Sequence, residues 1–133
     1  MSDNQTTSTK FQSAPVEAHE IVERAQAYAN KGYRLIQMGC TRTPSEMDII
    51  YSFENVDADI EHLKMTIEEH AVLPSISSVF FHSFMYENEI HDLYGITFTG
   101  MAIDFGGNLL ETAIKYPYSL TPKIQSKKRE ENE

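Results

Sequence analysis

Apolar residues at three- and four-residue spacing open the ordered part of this chain. Between Val16 and Lys31, the positions Ile21, Val22, Ala25, Tyr28 and Ala29 recur with Glu17, Glu20, Glu23 and Arg24 between them, which predicts an amphipathic helix. Ser13 and Pro15 suit its start, and Gly32 supplies a left-handed closing residue without a side-chain penalty. The period then changes to two. Tyr33, Leu35 and Gln37 alternate with Arg34, Ile36 and Met38, and after the turn-like TRTPSE the residues Met47, Ile49, Tyr51 and Phe53 alternate with Asp48, Ile50, Ser52 and Glu54. Two strands joined as a hairpin are expected.

From Asp57 to Glu69 the pattern is two-sided: Ile60, Leu63 and Ile67 fit a helix, whereas Leu63, Met65 and Ile67 fit a strand. SISSVFFHSF is apolar enough to be buried. It runs into YENEIHDLYG, read as a helix closed by Gly95 with Phe84, Leu93 and Tyr94 on its buried side and carboxylates over the rest. Ile96 to Met101, a Gly106-Gly107 turn and a last ordered piece near Tyr116, Pro117 and Tyr118 follow. The order of elements predicts a single α+β domain over 13–120, a mainly antiparallel sheet packed with an N-terminal helix and a second helix carrying ENEIHDLYG. A flexible polar arm, 1–12, and a charged mobile tail, 121–133, are expected to flank it.

Charge narrows the partners. Twenty acidic against eleven basic residues give a formal net charge of -9, a field that repels phosphate backbones and anionic lipid surfaces, so nucleic acid is excluded as a natural partner. Cys40 is the single cysteine, so this chain can form no internal disulfide and cannot supply the thiolates of an iron-sulfur cluster. No apolar run approaches the roughly 20 residues needed to cross a bilayer, and MSDNQTTSTK lacks the layout of a signal peptide. A cytoplasmic location is expected, with no direct membrane insertion and any membrane association made through a partner.

The densest chemical cluster is Glu87, Glu89, His91 and Asp92. On a helix Glu87 and His91 are four apart and share a face, so a free-standing metal-dependent enzyme built on Glu87, His91 and Asp92 is one reading. A zinc site needs three or four ligands, and His19, His62, His70 and His82 show no paired spacing that completes one. The same carboxylates suit a general acid and base pair, but nothing in the sequence marks a substrate pocket. Cys40 beside Thr41 and Arg42 is either an activated thiolate or a small apolar filler, and filler is the commoner role. Gly106 and Gly107 lack the spacing and the Lys of a phosphate loop. Phe80, Phe81, Phe84 and Tyr86 point to contact with a substantial apolar surface, part of it on another subunit.

The string YENEIHDLYGITFTGM, Tyr86 to Met101, resembles the signature of the complex I C-subunit family: E-R-E-x-x-D, an aromatic residue, then G-I-x-F-x-G. Glu87, Glu89, Asp92, Tyr94, Gly95, Ile96, Phe98 and Gly100 match it. Leu73 to Ile76 are similar to the family's V-P-S-I segment, and the resemblance reaches GYRLI and IIYSFE, covering roughly residues 16 to 118. Asn88 stands where the family has Arg, and Gly100-Met101 replaces Gly-His-Pro. With these departures the chain most resembles the D-subunit branch of Ech-type energy-converting nickel-iron hydrogenases. The resemblance implies a strand at Ile60 to Glu68 and an accessory subunit with no prosthetic group of its own. It would sit on the cytoplasmic face of the cell membrane beside a large catalytic subunit, a small cluster-bearing subunit, a polyferredoxin-like subunit and membrane subunits. Those chains would hold the nickel-iron centre, the iron-sulfur clusters and the ion path that couples ferredoxin oxidation and hydrogen formation to ion translocation. An equivalent subunit of an NADH- or deazaflavin-dependent quinone or phenazine reductase is the alternative. Glu87, Glu89, Asp92, Tyr94 and Phe98 are the expected subunit-interface residues, and no catalytic, cofactor-binding or metal residue is expected.

Overall fold

The computed structural model describes residues 13–106. The expected arm, the Tyr116 to Tyr118 piece, the tail and Gly107 lie outside the described residues. A four-stranded mixed sheet runs in the order β1-β4-β3-β2, formed by β1 (Ala14–Pro15), β2 (Arg34–Arg42), β3 (Met47–Glu54) and β4 (Ile60–Ile67). The β2-β3 and β3-β4 pairs are antiparallel, and β1 runs parallel to β4. Helix α1 (Ile21–Asn30) covers one face of this sheet, and helix α2 (Ser83–Tyr94) is bracketed by the short parallel pair β5 (Val72–Pro74) and β6 (Thr97–Thr99). The architecture is the expected α+β single domain, with the ambiguous Ile60 segment resolved as a strand.

The first helix starts later than its periodicity suggests. Val16 is buried, and its N–H donates to the Lys64 carbonyl at 3.0 Å, which ties this stretch to the sheet instead of to a helix. Pro15, with no N–H, is tolerated beside β4 because a proline fits a sheet edge. A 3-10 turn, Ala18–Glu20, then leads into α1, which ends at Lys31 and Gly32, the latter at φ 85.

β3 is the central strand. Met47, Ile49, Tyr51 and Phe53 are fully buried on one face, where the Phe53 ring stacks on Tyr28 of α1 at 4.3 Å and tilts against Phe80 at 5.6 Å. Aromatic pairs of this geometry add to the burial of their large apolar area. The other face is a polar ladder in which Thr66 Oγ1 donates to Asp48 Oδ1 at 2.7 Å and Ser52 Oγ lies 2.7 Å from His62 Nδ1. In β2 the strict alternation fails. Leu35 pairs with Phe53 and Gln37 with Ser52, so Ile36 is an extra residue, and this bulge turns both Leu35 and Met38 inward while leaving Gln37 exposed.

Glu61 pins α1 and the start of β2 to β4. The Tyr28 hydroxyl donates to its Oε1 at 2.8 Å and the Tyr33 hydroxyl to its Oε2 at 2.9 Å. These two bonds hold the Glu61 carboxyl below its ordinary range, while burial and the neighbouring carboxylate push the Tyr28 phenol up to about 12.

Between β3 and β4 the Asn55 side chain accepts the N–H groups of Asp57 and Asp59, both at 2.9 Å, and the turn forces Ala58 to φ 69. A non-glycine residue there sits in a left-handed conformation that costs on the order of 1 kcal/mol. Ala58→Gly is therefore expected to raise stability by up to about 1 kcal/mol in a denaturant titration; an unchanged or lowered midpoint would contradict the strain.

Candidate functional site

α2 holds the chemical cluster singled out by the sequence, and two of its side chains, with that of His82 just before it, fasten it along the outer edge of β2. His82 Nε2 donates to the Leu35 carbonyl at 2.8 Å, the Tyr86 hydroxyl to Ile36 at 3.1 Å and the Tyr94 hydroxyl to Cys40 at 3.0 Å. β2 is an edge strand, and capping its outward carbonyls removes a template for pairing with another chain. Gly95 at φ 80 closes the helix, with its N–H on the His91 carbonyl at 2.9 Å. The buried residues of α2 are Ser83, Glu87, Asn88, Ile90 and Asp92, whereas Phe84, Leu93 and Tyr94, the expected buried side, are only half-buried. The polar side chains go inward because a loop and a strand end there need hydrogen-bond partners.

Glu87 is the centre of that interior. Its carboxylate accepts hydrogen bonds from Ser75 Oγ at 2.6 Å, Ile76 N–H at 2.9 Å and Ser83 Oγ at 3.2 Å, while 0% of the residue is exposed. Ser75 in turn meets Ser77 Oγ at 2.8 Å, and Ser77 Oγ accepts the N–H of Ala102 at 2.8 Å. Burial pushes the Glu87 carboxyl above its ordinary value, opposed by the three donors. The Tyr51 hydroxyl is buried with no hydrogen-bond partner among the described residues, and burial together with the charge of Glu87 raises its pKa.

Asn88 builds the second half of the site. Its side-chain amide donates to the Phe84 carbonyl at 2.8 Å and the Ile103 carbonyl at 2.9 Å, and its Oδ1 accepts the N–H of Phe105 at 3.0 Å. Residues 101–106 are thereby strapped across α2. Phe105 lies 6.3 Å from Phe84, which in turn meets Phe81 at 5.1 Å.

Of the five expected interface residues, the structure leaves Glu89 exposed and Tyr94 half-buried; Glu87, Asp92 and Phe98 are buried inside this chain. His91 uses Nδ1 to donate to the Ile96 carbonyl at 2.9 Å, and Glu87 is held by its own serines. Among the described residues no group of three or more His, Cys, Asp or Glu side chains is arranged to hold a metal ion. Sequence reasoning missed Ser75, Ser77, Ser83 and Asn88 as partners of this region. The signal was present as Ser75 and Ser77 inside the apolar run SISSVFF and Ser83 two residues beyond it, since buried hydroxyls need a shared acceptor.

Cys40 does not carry an activated thiolate. Burial, and secondarily the charge of Asp48, push its thiol from 9.0 up to about 12. Alkylation at pH 8 should accordingly run on the order of 1000-fold slower in the folded chain than in denaturant. Comparable rates in the two states, read by mass spectrometry, would contradict the buried thiol.

The sequence pattern of the family described as "Respiratory-chain NADH dehydrogenase, 30 Kd subunit" matches residues 14–117. A chain in the solved "Structure of the membrane-bound sulfane sulfur reductase (MBS), an archaeal respiratory membrane complex" superposes with a TM-score of 0.66 at 19% identity, over 77% of this chain. The match spans 66% of that longer chain, just under two thirds, so the likeness is one of fold. No curated protein matches.

Proposed function

From the premise that this chain belongs to the family of respiratory-chain NADH dehydrogenase 30 kDa subunits, we propose that it is a cofactor-free accessory subunit of a membrane-bound energy-converting nickel-iron hydrogenase. The observation that carries the reading is the fate of the signature carboxylate: Glu87 spends its lone pairs on Ser75, Ile76 and Ser83, shaping a surface instead of presenting a reactive group. Glu89, exposed on the same helix, is the signature residue that reaches a neighbouring subunit directly. Glu87, Asp92, Tyr94 and Phe98 act behind it by fixing α2 and β6.

In this reading the partners are the large catalytic subunit, the small cluster-bearing subunit, a polyferredoxin-like subunit and membrane subunits. They carry the nickel-iron centre and the clusters, and the chain is held at the cytoplasmic face of the membrane through them. No helix among the described residues is long and apolar enough to cross a membrane. Asn88 and Met101, at positions where quinone-reducing relatives differ, support the hydrogenase branch. Membership of a respiratory-chain NADH dehydrogenase subunit family supports a second reading, the equivalent subunit of an NADH- or deazaflavin-dependent quinone or phenazine reductase.

Affinity purification of the full chain from native membranes tests both. Companions containing nickel and iron-sulfur clusters are expected; companions containing flavin and no nickel would transfer the chain to the second reading. Recovery of the chain alone, turning over a substrate or retaining a tightly held metal, would overturn both.

A further inference from the structure

Four of the exposed large apolar side chains gather on one surface. Phe81 is 59% exposed, Met85 46%, Ile103 41% and Phe105 38%, and the rings of Phe81, Phe84 and Phe105 form a continuous chain across it. Met85 and Glu89 are four residues apart and share one stripe of α2 beside the strap, and Phe81, in the turn just before the helix, joins the face through its ring contact with Phe84 at 5.1 Å. The strap is not loosely placed, because Asn88 grips it on both sides of Asp104. Contiguous apolar surface of this kind, rich in Phe and Met, marks a contact face.

The rim identifies the occupant. Glu89 and Asp104 are exposed beside the apolar residues, and no Lys or Arg occurs anywhere between Lys64 and Lys115. A second copy of this chain would bring the same acidic rim against its own, and an anionic lipid surface would be repelled in the same way. We infer that the face formed by Phe81, Phe84, Met85, Ile103 and Phe105 docks an apolar surface of a neighbouring subunit of the complex, rimmed by Lys or Arg side chains that meet Glu89 and Asp104. The inference deepens the proposed function and rests on it.

The test uses the full chain in its native complex. Met85→Lys places a cation in the centre of the face at a position exposed enough to tolerate it, so the unfolding midpoint should be unchanged while retention in the washed complex falls on the order of tenfold. Glu89→Lys should reduce retention at low salt, with the difference shrinking as salt rises. A photoreactive phenylalanine analogue at position 85 should crosslink to one other subunit, at a peptide combining apolar residues with Lys or Arg. Wild-type retention of Met85→Lys would overturn the inference alone, as would crosslinks confined to lipid, to a second copy or to residues 107–133. A wild-type chain that co-purifies with no complex would overturn the proposed function and this inference together.

Discussion

Glu87→Ala is expected to lower the stability of the isolated chain by about 3–5 kcal/mol, a large share of what a domain of this size holds in reserve. The substitution removes the common acceptor of Ser75 Oγ, Ser83 Oγ and the Ile76 N–H, and each buried donor left unsatisfied costs about 1–3 kcal/mol. It also opens a cavity beside Tyr51. Glu87→Gln keeps the volume but turns an N–H2 group toward donors, so its loss should be smaller than that of alanine. The glutamine variant isolates the charge. Because burial raises the folded-state pKa of Glu87 above the ordinary 4.5, the folded state prefers the protonated carboxyl. Its contribution is therefore complete below about 4.5 and is lost as pH rises through the raised value. Wild type should gain on Glu87→Gln as pH falls from neutrality toward 4.5. Denaturant titrations showing a pH-independent gap would remove burial as the dominant influence on this carboxyl.

The elements that the sequence made legible are those whose pattern is set by one-sided burial. α1, β3 and the Gly95 closure of α2 follow directly from apolar period and from the one residue type that enters the left-handed region cheaply. β1 was hidden because two residues carry no period, and Val16 serves the sheet through its backbone, which side-chain patterns do not report. The β2 bulge was hidden for a related reason: an inserted residue shifts the phase, so Leu35 and Met38 share the core at a spacing that alternation forbids. Carboxylates on a helix read as a solvated face, and Glu89 fits that. Glu87 does not, because the serine-rich connection between β5 and α2 and the first turn of α2 supply enough donors to hold a carboxylate inside. The letters of the family signature do not distinguish a residue that touches a partner from one that holds the surface in shape.

The strongest loss among substitutions at the strap is expected for Asn88→Arg, which restores the residue that the family pattern carries here. In this chain the position is 0% exposed, and its amide is matched to two carbonyls and one N–H. An arginine has no acceptor for the Phe105 N–H, exceeds the available volume and brings a charge with no carboxylate facing it among these contacts. Overpacking costs about 1–3 kcal/mol and a buried uncompensated charge adds several more, so a loss above about 3 kcal/mol is expected, against about 1–3 for Asn88→Ala. Amides of residues 103–105 should lose protection from hydrogen exchange in both variants, since Asn88 supplies the grip on either side of Asp104. The two departures from the family pattern are physically one. A short amide at position 88 suits a strap that begins Gly100-Met101 and returns over Phe84, and the apolar docking face exists only while that strap stays down. An Asn88→Arg chain with wild-type stability and unchanged exchange at 103–105 would separate the two departures and remove the strap as the element that shapes the face.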